Sequence, residues 1–421
     1  MKWRVDISWL PKIGFGISIL LNIILCIIIF SILNNEQVHF FLNSDTLYLP
    51  SIYRDLFIDH NGLAGWHLNG APNFFPDLAL YVVIRSFFHS FIPAAFTFSL
   101  VQLTMVLILL AILYKQFFSD ISYIHLATGS MLMSFFLFET LISHNFIYTF
   151  YLVSIGYHVG AFIMALTAMI FMTMYYKTNR KWPLVVMILV VVVAVVNDRL
   201  FLAMFSIPVF SMILVLKKTD RRKRIIGILI ADLAASATGA VLFWLIKNYS
   251  SIYIIDLGWK AFNFQNIYMA AGVFFGQHLS YLSSMDFRGI IDVLFLVSLT
   301  IHIILLVRRL TAFYRGIEDI TNELIYLLIF VSFTLVVLFM PVINGSYVAW
   351  SLRRYNIYAI YLGVFSYAYL VYKARQRSLL PSKTGPVFAG TLMLAGIFFI
   401  FHAERKQDIR TGLRNFMYYY P

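Results

Sequence analysis

A carboxylate, a set of arginines and three residues of the His/Glu type are what this chain offers for chemistry. Asp45 stands in the run Asn43-Ser44-Asp45-Thr46-Leu47-Tyr48-Leu49-Pro50, a few residues past the first long apolar segment. A carboxylate held near a membrane surface, shielded enough for its pKa to be tuned, suits a general base. The same position suits a helix N-cap, where Ser or Asp accepts backbone N–H bonds. Arg54, Arg85, Arg199, Arg288, Arg353 and Arg354 fall in connecting segments on the same side. A guanidinium can grip a phosphate through two parallel bonds, and the Arg353-Arg354 doublet before an apolar run is best placed for that. Singly, each arginine also suits snorkelling or a local pair, for Arg199 a pair with Asp198. Glu139, His144 and His158 bracket one short connection and suit phosphate contact, a metal or a proton relay, or simply satisfied interfacial polarity. Their spacing fits no zinc pattern. Asp232 lies inside an apolar run, where an acid suits proton or cation coupling, or a pair with Lys223 or Arg224.

The elements that must position these groups are membrane helices. Hydrophobic residues make up 61% of the 421-residue chain and charged ones 12%, with mean hydropathy +0.83. A soluble domain carries roughly 25% charge, so only lipid can solvate this surface. Segments of about 20 apolar residues, the length that crosses the hydrocarbon core, fall at 13–33, 94–114, 122–142, 156–176, 183–198, 200–216, 225–246, 289–307, 324–343, 355–372 and 387–402. The fold class expected is therefore all-α integral membrane, with eleven spans in one polytopic domain over 1–421. The pair at 183–198 and 200–216 is short, joined at Asn197, Asp198 and Arg199, and reads as a hairpin that stops short of the far face. The first apolar run follows Lys2, Arg4 and Lys12 and has no small-residue cleavage site, so it reads as a retained helix.

Charge sets the orientation. With the N-terminus cytoplasmic, 20 of the 32 lysines and arginines fall on the cytoplasmic side, as the positive-inside rule requires. The C-terminus is then exoplasmic. Residues 76–92 tempt a further span, but that would flip every later basic loop outward. They read instead as an amphipathic helix along the interface, with Pro76 in its first turn. The exoplasmic face gains the long loops, 34–93 and 247–288. The net charge of +13 sits between spans and does not indicate nucleic acid. There is no glycine-rich nucleotide loop, and the single cysteine, Cys26, excludes a disulfide framework.

A first span, an Asp in a short D-x-x-Y-L-like segment (Asp45-Thr46-Leu47-Tyr48-Leu49), then two interfacial helices before the second span resembles the GT-C glycosyltransferases. Protein O-mannosyltransferases and lipid A aminoarabinose transferases are examples. The resemblance implies a polyprenyl-phosphate-linked sugar donor, a lipid, glycan or protein acceptor, and an exoplasmic site, as in a bacterial inner membrane. It implies Asp45 as the catalytic carboxylate and interfacial helices at 46–58 and 76–92. It covers residues 1–114 in detail and the remainder by topology. Many members carry an adjacent acidic pair; here Asp55 or Asp59 would have to serve, or none. An inverting transfer also needs cations for the departing phosphate, which the arginines named above can supply, and a divalent metal is compatible with it. Trp66 and other loop aromatics can stack on sugar rings or anchor at the interface. The competing reading is a transporter or lipid flippase that uses Asp232 and Glu139, with a surface-polysaccharide polymerase or ligase as a further rival.

Overall fold

The computed structural model describes residues 10–33, 41, 44–143, 147–154, 157–216, 221–255, 263–284, 287–345 and 353–379. The protein is an all-α, multi-pass integral membrane protein. Among the described residues, eight helices are long and apolar enough to cross a membrane, and two shorter apolar helices accompany them. The apolar run at 387–402 lies outside the described residues.

The long helices follow from apolar length, because a backbone in lipid must satisfy its own hydrogen bonds. They are α1 (Leu10–Ile32), α4 (Phe91–Phe117), α5 (Tyr123–Ser143), α7 (Val159–Thr178), α10 (Arg222–Tyr249), α12 (Phe287–Tyr314) and α13 (Asn322–Ile343), with the short α6 (Ile147–Val153) between α5 and α7. The last spanning stretch is split at Ser366 into α14 (Arg353–Phe365) and α15 (Tyr367–Gln376). Helices α5, α7 and α13 form the middle of the bundle, while α1, α10 and α12 show large apolar side chains such as Ile24, Leu233 and Val307 to the outside. Polar groups tie the centre together: Asn22 Nδ2 donates to the Ser130 carbonyl at 3.0 Å, joining α1 to α5.

The expected hairpin is present, and its two arms differ. Helix α8 (Lys181–Asn197) has 17 residues, about 25 Å at 1.5 Å per residue, short of the roughly 30 Å hydrocarbon core. The return arm is no continuous α-helix. It is a π turn, Leu202–Ser206, then the short helix α9 (Ile207–Phe210) and a 3₁₀ turn, Ser211–Val215. Pro208 sits in the first turn of α9 and has no N–H to give the turn before it.

Two long loops cover one face. The first folds as α2 (Ser44–Phe57) and α3 (Ala79–Arg85), α3 being preceded by a turn at Phe74–Leu78. Phe75 is extended within that turn (φ −141°, ψ 134°), as a residue before proline prefers, so helical backbone begins at Pro76. The second interfacial helix ends at Arg85, where residues 76–92 had suggested a longer one. Beyond its end the Arg85 guanidinium reaches forward onto the carbonyls of Phe88 and His89, satisfying groups that a longer helix would have used. The second loop, for which the sequence suggests no element, carries α11 (Phe264–Ser284), a helix with no Asp, Glu, Lys or Arg. The two loops are joined by a parallel ladder between β1 (His67–Leu68) and β2 (Tyr253–Ile254), with His67 opposite Tyr253 and Leu68 opposite Ile254. Beneath them Tyr48, Leu49, Ile52, Leu68, Tyr81, Phe98, Phe243 and Ile254 form a small apolar core.

Candidate functional site

On the loop-rich face, three elements converge: the first loop at 73–79, the start of α7, and the hairpin tip Asn197-Asp198-Arg199. Polar clamping holds the first to the third. Asn197 Oδ1 accepts the Phe75 N–H at 2.8 Å, and the Asn197 carbonyl accepts from the Asn73 N–H at 3.5 Å. Asn73 takes a left-handed backbone (φ 54°), which asparagine tolerates better than most residues.

The clamp delivers Asp77 onto α7. Its carboxylate lies against Gly160, the second residue of that helix, so closely that a Cβ there would come within 1.9 Å of Asp77 Oδ2. Asp77 is buried. Burial, helped by the negative charge of Asp198 and opposed by a bond to its own backbone, pushes its carboxyl up from 3.8 to about 8. The positive end of α7 would favour a carboxylate, and desolvation outweighs it.

Beside this acid sits a His–Asp pair. His158 Nδ1 donates to Asp198 Oδ2 at 2.6 Å, with the histidine side chain 19% exposed and the aspartate 6%. The other carboxylate oxygen, Oδ1, accepts the Leu200 N–H at 2.9 Å, which fixes the aspartate at the tip. Arg199 therefore does not take Asp198 as its partner. Its guanidinium lies 5.0 Å over the Phe243 ring of α10, and no carboxylate pairs with it among the described residues. Tyr358 of α14 adds a fully buried hydroxyl with no hydrogen-bond partner among the described residues, within reach of the fields of Asp198 and Asp77.

Other groups singled out from the sequence fall elsewhere. Asp45 is half-buried in the first turn of α2; the adjacent Thr46 Oγ1 donates to the Phe41 carbonyl at 2.6 Å, and α2 packs on the turn at 74–78 and on α3. Arg54 is exposed and spent on Asp59 at 3.1 Å. Trp66 Nε1 donates to Asp55 Oδ2 at 2.8 Å, and its carbonyl accepts the Tyr253 N–H at 3.1 Å, so it braces the loop. Asp55 and Asp59, the candidates for a second acid beside Asp45, are thus both in local use. Arg353 and Arg354 open α14, but their side chains, like all of His144, lie outside the described residues. Glu139 is fully buried in α5. Asp232 pairs with neither Lys223 nor Arg224. Its partners are serines, Ser206 at 2.9 Å and Ser236 at 3.5 Å, while Arg224 donates to the Tyr176 carbonyl at 3.0 Å.

Sequence analysis singles out no role for Asp77. The available signal was one acid in an otherwise apolar helix, directly after a proline. Among the described residues, no three His, Cys, Asp or Glu side chains are grouped to hold a metal ion. Chemically, the arrangement offers an oriented, partly buried imidazole, a buried carboxyl protonated at neutral pH, and a half-buried guanidinium without a carboxylate partner among the described residues. No protein-family model and no curated protein sequence matches the chain.

Proposed function

We propose that the chain is a glycosyltransferase that moves a sugar from a polyprenyl-phosphate carrier to an acceptor hydroxyl at its loop-rich, exoplasmic face. The observation that carries this reading is the His158–Asp198 pair, with the buried acid Asp77 on one side and Arg199 beside it in the chain. In the transfer, the bond from the anomeric carbon to the carrier's phosphate oxygen breaks. A new bond forms from that carbon to the acceptor oxygen, and the acceptor's proton passes to a base. The carrier leaves as polyprenyl phosphate.

His158 has the surroundings of such a base. Asp198 orients its ring and would stabilise the imidazolium that forms, the role a buried carboxylate plays behind a general-base histidine. Asp77, neutral below about pH 8, can donate a hydrogen bond to a phosphate or acceptor oxygen, as carboxylic acids kept neutral by burial do elsewhere. Arg199 meets the charge that develops on the departing phosphate. Asp45 is the alternative base, supported by the resemblance of the first 114 residues.

The test compares surface glycans and lipids, by mass spectrometry, from cells lacking the gene and cells carrying rescue variants. Loss of one defined sugar is expected, restored by wild type and by Arg54→Ala, but not by Asp198→Asn or His158→Gln. Asp45→Asn separates the two bases: rescue leaves His158 in the role, and failure with His158→Gln active moves it to Asp45. An unchanged profile in the deletion strain, or full rescue by Asp198→Asn, would sink the reading.

A further inference from the structure

We propose that Asp232, Ser206 and Ser236 form a monovalent-cation site inside the membrane, built from hard oxygen donors of the kind that take sodium. Asp232 is fully buried. It lies ten residues into the spanning helix α10, about 15 Å along the helix past the basic residues Arg222, Lys223 and Arg224 that open it. Both serine hydroxyls approach the same carboxylate oxygen, Oδ1, and lie 3.2 Å from each other. The second oxygen, Oδ2, is buried with no hydrogen-bond partner among the described residues.

A bare carboxylate at this depth is costly and must be neutralised. Among the described residues no basic group does so: α7 and α8, which pack on α10, carry their basic residues only at their ends. A proton on Oδ2 would become a buried donor with no acceptor. A cation needs only lone pairs, and the site is rich in them. Two carboxylate oxygens and two hydroxyl oxygens are present. The facing arm of the hairpin is the π turn Leu202–Ser206, followed by Pro208, which has no N–H to offer the carbonyl four residues before it. Interrupted helices are a recurrent setting for sodium sites within a bilayer. A single carboxylate favours one positive charge.

The site also has a mechanical consequence. Ser206 ends the π turn that starts four residues after Asp198, and Asp232 lies on the helix that carries Phe243, the seat of Arg199. An ion bridging Ser206 to Asp232 fixes the hairpin against α10 and so steadies the tip.

The experiment uses the full chain in detergent, with radiolabelled sodium titrated at constant ionic strength in choline chloride. Saturable binding at one ion per chain is expected, with Tm rising in sodium but not in choline. Asp232→Asn should bind no sodium and show a sodium-independent Tm. Ser206→Ala, which keeps the charge, should weaken affinity about tenfold, or about 1.4 kcal/mol. Asp198→Asn should bind as wild type does, so failure of the transferase reading leaves this result standing. Absence of saturable binding to monodisperse wild type, binding that survives in Asp232→Asn, or a Tm that responds to pH and not to sodium would each overturn the proposal.

Discussion

Gly160 shows how little room separates the candidate acid from its supporting helix. Any side chain at this position must displace the Asp77 carboxyl, since a Cβ would stand 1.9 Å from it. Gly160→Ala should therefore destabilise the protein by about 1–3 kcal/mol, the usual cost of overpacking. Gly272→Ala is the matched control, because nothing lies within 4 Å of a Cβ there; its Tm should hold or rise slightly, as alanine favours helix. Thermal melts of both variants in one detergent decide the point. Asp77 also makes stability depend on pH in a stated direction. Its folded value, about 8, lies above the ordinary 3.8, so the unfolded chain binds fewer protons between them. Stability from this group is full below about pH 4 and is lost progressively as pH rises through about 8. Asp77→Asn should flatten the decline in Tm over that window, and a parallel decline in the variant would assign it elsewhere. None of this is legible from residue type alone. Asp77, His158 and Asp198 are far apart in the chain, and what makes each informative is which partner it meets. Arg54 and Trp66 looked as promising from sequence and are engaged by Asp59 and Asp55.

At the scale of elements, apolar length was a dependable guide and connections were not. Each of the first ten apolar runs contains helix, because in lipid a long apolar segment has few alternatives to internal hydrogen bonding. The first loop could be read as interfacial from its charges, yet the end of α3 is marked by one arginine reaching forward onto two carbonyls. The parallel ladder between β1 and β2 had no sequence signal, since two residues per strand are too few for a pattern. It is nonetheless the direct tie between the two long loops. In a parallel ladder, neighbouring Cα atoms lie about 5 Å apart, within disulfide range. The double variant His67→Cys, Tyr253→Cys should therefore cross-link on oxidation. Cleavage at a protease site placed in 217–220, between the two cysteines in the chain, should then leave the two halves joined on a denaturing gel until reductant is added. Separate halves before reduction would mean the loops are not docked as described. The native Cys26 is buried in α1 and should not compete.

For the molecule as a whole, the decisive quantity is the asymmetry of charge between its two faces. The segments and helix ends that lie opposite the long loops hold most of the lysines and arginines, including Arg221, Arg222, Lys223 and Arg224 together. A cytoplasmic membrane surface attracts and retains such segments. In the proposed orientation the loop-rich face, with Asp77, His158 and Asp198, faces outward, where a lipid-linked sugar already carried across the membrane would be met. In the proposed transfer, that orientation and an activated donor belong together. Single cysteines test it directly in a Cys26→Ser background. Gly62→Cys, in the exposed first loop, should react with a membrane-impermeant maleimide in intact cells. Arg222→Cys, exposed at the start of α10, should react only after permeabilisation. The reverse pattern would place His158 and Asp198 on the cytoplasmic side. An outward-facing transfer from a polyprenyl carrier would then be untenable, while the sodium site, buried between α10 and the hairpin, would keep its geometry in either orientation.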